Sequence, residues 1–188
     1  AVWSLDHLFV VVREREEIEI EVEEMGDDAL DRDARIELSI GTKQQGRADG
    51  RYYWPRGLVF DHHRGLLFVV TGNNHRVEAF SCEDGSLVCR FGQFGDLPGR
   101  FVHPYGIAID DDHDRIFITC GNHRVQSWSL SDQSFLRASA IVDQEISTST
   151  PRGIAIDKHQ HRIIIADSHN DRLVFLSSID LSFSFSVG

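Results

Sequence analysis

Positive charge is scarce in this chain: 19 Lys and Arg stand against 30 Asp and Glu, a formal net charge of −11 over 188 residues. A chain so balanced has no broad positive field to attract phosphate backbones, so general nucleic-acid affinity is disfavoured and only a local basic patch stays open. The imbalance is uneven. Residues 1–50 carry 14 acidic and 6 basic side chains, and residues 51–188 carry 16 and 13. Cysteine is sparse too. Cys82, Cys89 and Cys120 form no disulfide framework and no CxxC pair. Read with Asp84-Gly85 as a two-residue turn, Cys82 faces Leu87 and Cys89 faces Phe80, so no bridge is expected there. Buried free thiols suit a reducing, cytoplasmic compartment. No apolar run approaches the length of a membrane span, and the opening AVWSLDHLFVVV has no basic leader. No membrane is expected as a partner. The chain starts on Ala and not Met, as a processed or truncated product would.

Catalytic signatures are missing as well. The sequence shows no Ser-His-Asp order, no nucleophile elbow, no phosphate loop and no HxxxH pair. No catalytic residue and no cofactor is expected. The remaining composition, 41% hydrophobic and 26% charged, is that of a folded globular chain with a core.

What the chain does have is repetition. Three segments align: WPRGLVFDHHRGLLFVVTGNNHRVEAF, HPYGIAIDDDHDRIFITCGNHRVQSW and TPRGIAIDKHQHRIIIADSHNDRLVF. Pro55, Pro104 and Pro151 correspond, as do Gly57, Gly106 and Gly153, and Asp61, Asp110 and Asp157. Asn74, Asn122 and Asn170 recur every 48 residues, and so do Arg76, Arg124 and Arg172. A degenerate fourth copy precedes them, LFVVVREREEIEIE (8–21), with Glu17 in the Arg position. Here Ile18, Ile20 and Val22 alternate with Glu17, Glu19, Glu21 and Glu23, a period of two that excludes a helix and puts the glutamates on one strand face.

Each unit reads as four short strands separated by turn residues. Gly-Ile-Ala-Ile-Asp is a nearly continuous apolar run, as for a strand covered on both faces. A second run such as 115–119, a third such as 124–130 and a fourth such as 87–91 or 182–187 follow. Four short strands repeating at this interval predict an all-β chain of propeller blades. The expected division is a partial blade over 1–50 and full blades over 51–99, 100–147 and 148–188. An open arc would leave the apolar face of each end sheet in water. Three remedies suggest themselves: a closed four-bladed ring, a second copy, or further blades in a longer chain. The last two are favoured.

The strings Asn74-His75-Arg76-Val77-Glu78 and Asn122-His123-Arg124-Val125-Gln126, each preceded by Pro-x-Gly-(Ile/Leu)-(Ala/Val)-x-Asp, resemble the NHL repeat. The linkers 41–55 and 92–104 fit that family, being Gly-rich and ending in an aromatic residue or His before Pro. The third copy departs from it, reading His169-Asn170-Asp171-Arg172 without the motif His. The acidic residue that often precedes the turn is replaced by Thr71 and Thr119 and survives as Asp167. The resemblance implies rings of about six blades and a non-catalytic interaction platform. It also implies the recognition part of a larger ubiquitin-ligase-like protein, whose zinc-binding RING and B-box elements would lie outside these residues. RNA binding is the alternative it implies, and a metal-dependent lyase or lactonase-like propeller enzyme is the second.

The repeated residues are read first as structure. Asp61, Asp110 and Asp157 are expected to hold the following turn through backbone N–H groups. Asn74, Asn122 and Asn170 are expected at positive φ, and Gly57, Gly106 and Gly153 to permit close backbone approach. Arg76, Arg124 and Arg172 are expected to bond carbonyls or acids within or between blades. Function is sought on the linker face, where Arg51, Tyr53, Arg56, Arg100, His103, Tyr105 and Arg152 are candidate partner-binding residues. Aromatics and Arg are the types enriched where partners dock. Arg56, Tyr105 and Arg152 share the position before the motif glycine and should ring the channel mouth. Trp54 and Phe101 are candidates for linker packing instead. On the opposite face His62, His113 and His159 are weak metal-ligand candidates beside the aspartates of residues 111–114.

Overall fold

In the computed structural model, residues 8–12, 20–24, 54–140 and 151–188 are described. Fourteen strands are assigned there. Strands β1 (Leu8–Val12) and β2 (Ile20–Glu24) form an antiparallel pair with Val10 opposite Val22. The others form three four-stranded antiparallel sheets, each laid down in chain order. The first holds β3 (Pro55–Asp61), β4 (Leu66–Thr71), β5 (Arg76–Ser81) and β6 (Leu87–Phe91). The second holds β7 (Pro104–Asp110), β8 (Arg115–Cys120), β9 (Arg124–Ser129) and β10 (Phe135–Ala140). The third holds β11 (Pro151–Asp157), β12 (Arg162–Asp167), β13 (Arg172–Ser177) and β14 (Phe183–Val187).

The innermost strands β3, β7 and β11 pack side by side, so the sheets stand as blades round one edge. The Pro-x-Gly motif explains how. In each blade the inner-strand register slips between the proline and the third residue after it, so that Arg56-Gly57, Tyr105-Gly106 and Arg152-Gly153 bulge against single residues on the neighbouring strand. The glycine lets the next blade approach. A Cβ on Gly57 would lie 2.6 Å from the Tyr105 carbonyl oxygen, and one on Gly106 would lie 2.3 Å from that of Arg152. At Gly153 the nearest atom would be the Cβ of Ala166 in its own blade, at an ordinary 3.6 Å. The third socket is therefore open among the described residues.

Alternation along the strands sends successive apolar side chains into two different inter-blade cores. Phe68, Val70 and Val77 of the first blade meet Ile116, Ile118 and Trp128 of the second, with Phe101 plugged between them. Phe117 and Val125, on the second blade's other face, meet Ile163, Ile165, Val174 and Leu176 of the third. Each such large side chain removed from water contributes ~1.5–3 kcal/mol. The far face of the third blade is different: Leu173, Phe185 and Val187 are 45%, 38% and 58% exposed.

Three sequence expectations need correction. The β5–β6 connection is not a two-residue turn. Ser81 N–H bonds the Ser86 carbonyl and Gly85 N–H reaches back to Ser81, so four residues make the loop, and Val88 bulges. Phe80 consequently faces Leu87 and Cys89 faces Ala79. Cys82, Cys89 and Cys120 are free thiols. Next, the positive-φ residue of the β4–β5-type turn is the one after the asparagine: His75, His123 and Asp171, at 54°, 62° and 48°. The asparagine amide is a donor instead: Asn170 Nδ2 donates across its turn to Asp167 Oδ2 at 2.8 Å, and Asn122 Nδ2 donates to Asp96 Oδ1 on the preceding linker at 2.7 Å. Finally, the position of the motif acid in the second blade belongs to Cys120, not Thr119. Cys120 pairs with both Pro104 and Arg124, as Thr71 pairs with Pro55 and Arg76, because this turn is one residue shorter. Burial pushes the Cys120 thiol up to about 12, leaving it an inert filler.

Candidate partner-binding face

The linkers and the β4–β5-type turns come together on one face. Trp54 and His103 each precede the proline of an inner strand and hold left-handed backbone, at φ 60° and 43°. That twist aims the Trp54 carbonyl at Gly72 N–H (2.9 Å) and the His103 carbonyl at Gly121 N–H (3.1 Å), tying linker to turn. Gly72 leaves room for the Arg56 side chain, since a Cβ there would stand 2.7 Å from Arg56 Nε.

Across this floor lies a ladder of cations and rings. The Arg56 guanidinium sits 4.0 Å from the Tyr105 ring centre and 5.5 Å from that of Trp54, while Arg152 approaches Tyr105 at 5.9 Å. Arg56, Tyr105 and Arg152, at one equivalent position in three successive blades, thus come together before their motif glycines. Burial holds the Arg56 guanidinium below its ordinary range, Tyr105 acts the other way, and the like charge of Arg152 lowers it further. Trp54 is 56% exposed. Outward, His103 N–H donates to His75 Nδ1 (3.1 Å), and the His75 ring lies 4.8 Å from that of His103 and 4.7 Å from Phe94. Arg100 is exposed on the same linker, its stem packed over Gly95. Phe101 is fully buried, between Phe91 and Trp128. Arg51 and Tyr53 lie outside the described residues.

The motif arginines are engaged in structure. Arg76 pairs with buried Glu78 at 2.8 Å, Arg172 with buried Asp167 at 3.0 Å, and Arg124 bonds the Asp96 carbonyl and lies 3.7 Å from its carboxylate. Gln126 occupies the place of Glu78 in the second blade and clasps the linker, accepting from Gly99 N–H (3.0 Å) and donating to the Arg100 carbonyl (2.6 Å).

On the opposite face the charges close on each other. Asp61 accepts from the N–H groups of His63 and Arg64 and from the Arg64 guanidinium. Asp157 accepts from Gln160 N–H. Asp110 departs from this pattern, bonding the His113 ring at 3.0 Å. Asp111 then joins three blades, with His63 of the first at 2.9 Å and Lys158 of the third bonded to its other oxygen. Asp110, Asp111 and Asp112 are the one cluster of metal-capable atoms among the described residues, and it includes none of the candidate histidines. His62 stacks on Phe60, His113 stands edge-on to His161, and His159 is solvent-exposed.

One repeated device on this face went unread in the sequence. Ser81-x-x-Asp84-x-Ser86, Ser129-x-x-Asp132-x-Ser134 and Ser177-x-x-Asp180-x-Ser182 recur at the same 48-residue interval. In each, the Asp Oδ1 accepts the N–H of the second serine, at 3.0, 2.9 and 3.0 Å. The Ser182 hydroxyl and N–H hold Asp180 down to about 2.

No protein-family model matches the chain. Protein brain tumor of Drosophila melanogaster is 25% identical over 131 residues, which is 69% of this chain and 12% of that protein. Among solved structures, the RRP9 WD40 repeats superpose with a TM-score of 0.61 at 15% identity, covering 73% of this chain and 39% of that one. U3-55K gives 0.61 at 16%, with 73% and 40% covered. The fold is a β-propeller of four-stranded blades. The computationally designed Ika8 protein gives a TM-score of 0.59 at 9% identity, over 97% of this chain and 46% of that one. The propeller arc therefore spans less than half of each structural neighbour.

Proposed function

We propose that this propeller arc is a non-catalytic interaction platform of the NHL kind, docking a protein or peptide segment on its linker face. The observation that carries the reading is the Trp54–Arg56–Tyr105–Arg152 ladder: aromatic and guanidinium groups side by side, partly exposed, at the bulged starts of the inner strands. The NHL assignment is supported by the repeated Asn-His-Arg-Val turns and by the similarity to the fly protein. On the same resemblance, the arc serves as the recognition part of a larger ubiquitin-ligase-like protein, with residues 1–50 as a partial blade. A cytoplasmic setting is supported by the three free thiols.

The open socket at Gly153 and the exposed apolar face beside it support completion of the ring by another blade, here from a second copy of the chain. Light scattering tests that part. A dimer mass is expected, and a monomer at 21.3 kDa contradicts it. The docking reading is tested by proximity labelling and affinity capture with wild type and the Arg56→Ala/Arg152→Ala double variant. The variant should lose the wild-type partners while keeping its melting temperature. Equal recovery by both proteins refutes the reading. Filter binding to structured and single-stranded RNA decides the RNA alternative, which requires salt-sensitive binding at micromolar protein.

A further inference from the structure

Within that reading of the linker face, we propose that the mouth between Arg56 and Arg152 receives the side-chain carboxylate of an Asp or Glu in an extended segment of a partner protein. An apolar residue near that acid then lies on the outer shelf formed by His103 and Phe94.

Arg64, Arg76, Arg124 and Arg172 each pair with a carboxylate, and Arg115 and Arg137 donate to backbone carbonyls. Among the described residues, Arg56 and Arg152 lie against aromatic rings, Arg56 also beside Gly72, with no acid paired to either; Arg162 lies over Phe185 in the same way but stands alone. Two like charges share one tyrosine in a chain with an excess of acids. An arginine stacked by its flat face keeps the N–H groups along its edge free, and that edge is the fork that matches a carboxylate bidentately. An incoming carboxylate relieves the repulsion between the two guanidinium groups.

The shelf is continuous with the mouth. A Cβ on Gly121 would lie 3.3 Å from both His103 Cβ and Tyr105 Cε2, so those two side chains flank one spot. From His103 the contacts run to His75 and on to Phe94, which is 65% exposed. The strip thus offers a charged end and an apolar end, the demands of an acidic residue with an apolar neighbour. A polyphosphate fits less well. Each phosphate contact contributes roughly one unit of salt slope, whereas this face sets two guanidinium groups against one tyrosine ring on a chain of net charge −11.

The test is to pan a library of random dodecapeptides on the chain and measure the selected peptides by fluorescence anisotropy. Selected peptides should share an Asp or Glu at a fixed distance from an apolar residue. Replacing that acid by its amide, or using Arg56→Gln/Arg152→Gln protein, should each weaken binding about tenfold or more. The two losses should not add, since both remove one contact. Peptides without a shared acid that still lose binding in Trp54→Ser or Phe94→Ser protein would overturn the carboxylate site while leaving the docking face standing. Failure to enrich any peptide, or binding indifferent to all four substitutions, overturns both. A labelled oligouridine that binds and displaces the peptides with steep salt dependence would assign the mouth to RNA and overturn the proposal.

Discussion

The mouth beside Tyr105 and the face opposite the linkers both carry charged side chains and use them differently. On the face opposite the linkers, here the turn face, the motif contacts close a loop or a blade boundary: Asp61 with Arg64, and Asp111 with His63 and Lys158. On the linker face near the axis, Arg56 and Arg152 meet over Tyr105 with no acid between them among the described residues. A repeat protein must hold its units together before it can bind anything. Charges already neutralised within the fold have little left to offer a ligand.

The largest expected effect limits that contrast. Phe101 lies on a linker yet is fully buried against Phe91 and Trp128. Phe101→Ala should cost ~3–5 kcal/mol in chemical denaturation, as large aromatic deletions in cores do. A cost near that of a surface change would mean the linker is not a structural plug. Smaller is Asp111→Asn on the turn face, which weakens a cross-blade clamp whose partners are partly exposed. A loss of about 0.5 kcal/mol is expected at low salt, fading in molar salt. No loss, or one indifferent to salt, would break the idea that this face spends its charge on assembly.

Glu78→Gln should act mainly through pH. Burial raises the Glu78 carboxyl above its ordinary range, against the lowering pull of Arg76. A raised group stabilises fully below its unfolded value, about 4.3, and that contribution is lost as pH rises through the folded value. Melting curves from acid to neutral pH should therefore show the variant gaining on wild type as pH rises. Parallel curves would remove the buried-acid account. The second blade, with Gln126 in that place, already shows a neutral solution.

The sequence made the repeating sheet legible because strands of period two, Pro-x-Gly bulges and Asn-x-Arg turns all recur. The meeting of Arg56, Tyr105 and Arg152 was legible for the same reason, since equivalent positions in successive blades must be neighbours. Other features were masked by single residues. The short turn after Cys120 is hidden because Asn and Arg keep a 48-residue spacing, although the aspartates step by 49 and then 47. The Ser-x-x-Asp-x-Ser loop was overlooked because only Gly85 advertises its left-handed position. Gln133 and Leu181 adopt φ 57° and 61° there with no such signal. The Lys158–Asp111 clamp joins residues 47 apart in sequence, which no local pattern reports.

The most direct measurement of the face asymmetry is the set of arginine Nε–H NMR signals, followed as selected peptides are added. The account predicts that Arg56 and Arg152 shift together and saturably while Arg64 stays in place. Movement of Arg64 with Arg56 and Arg152 unmoved would place the ligand on the turn face and contradict it.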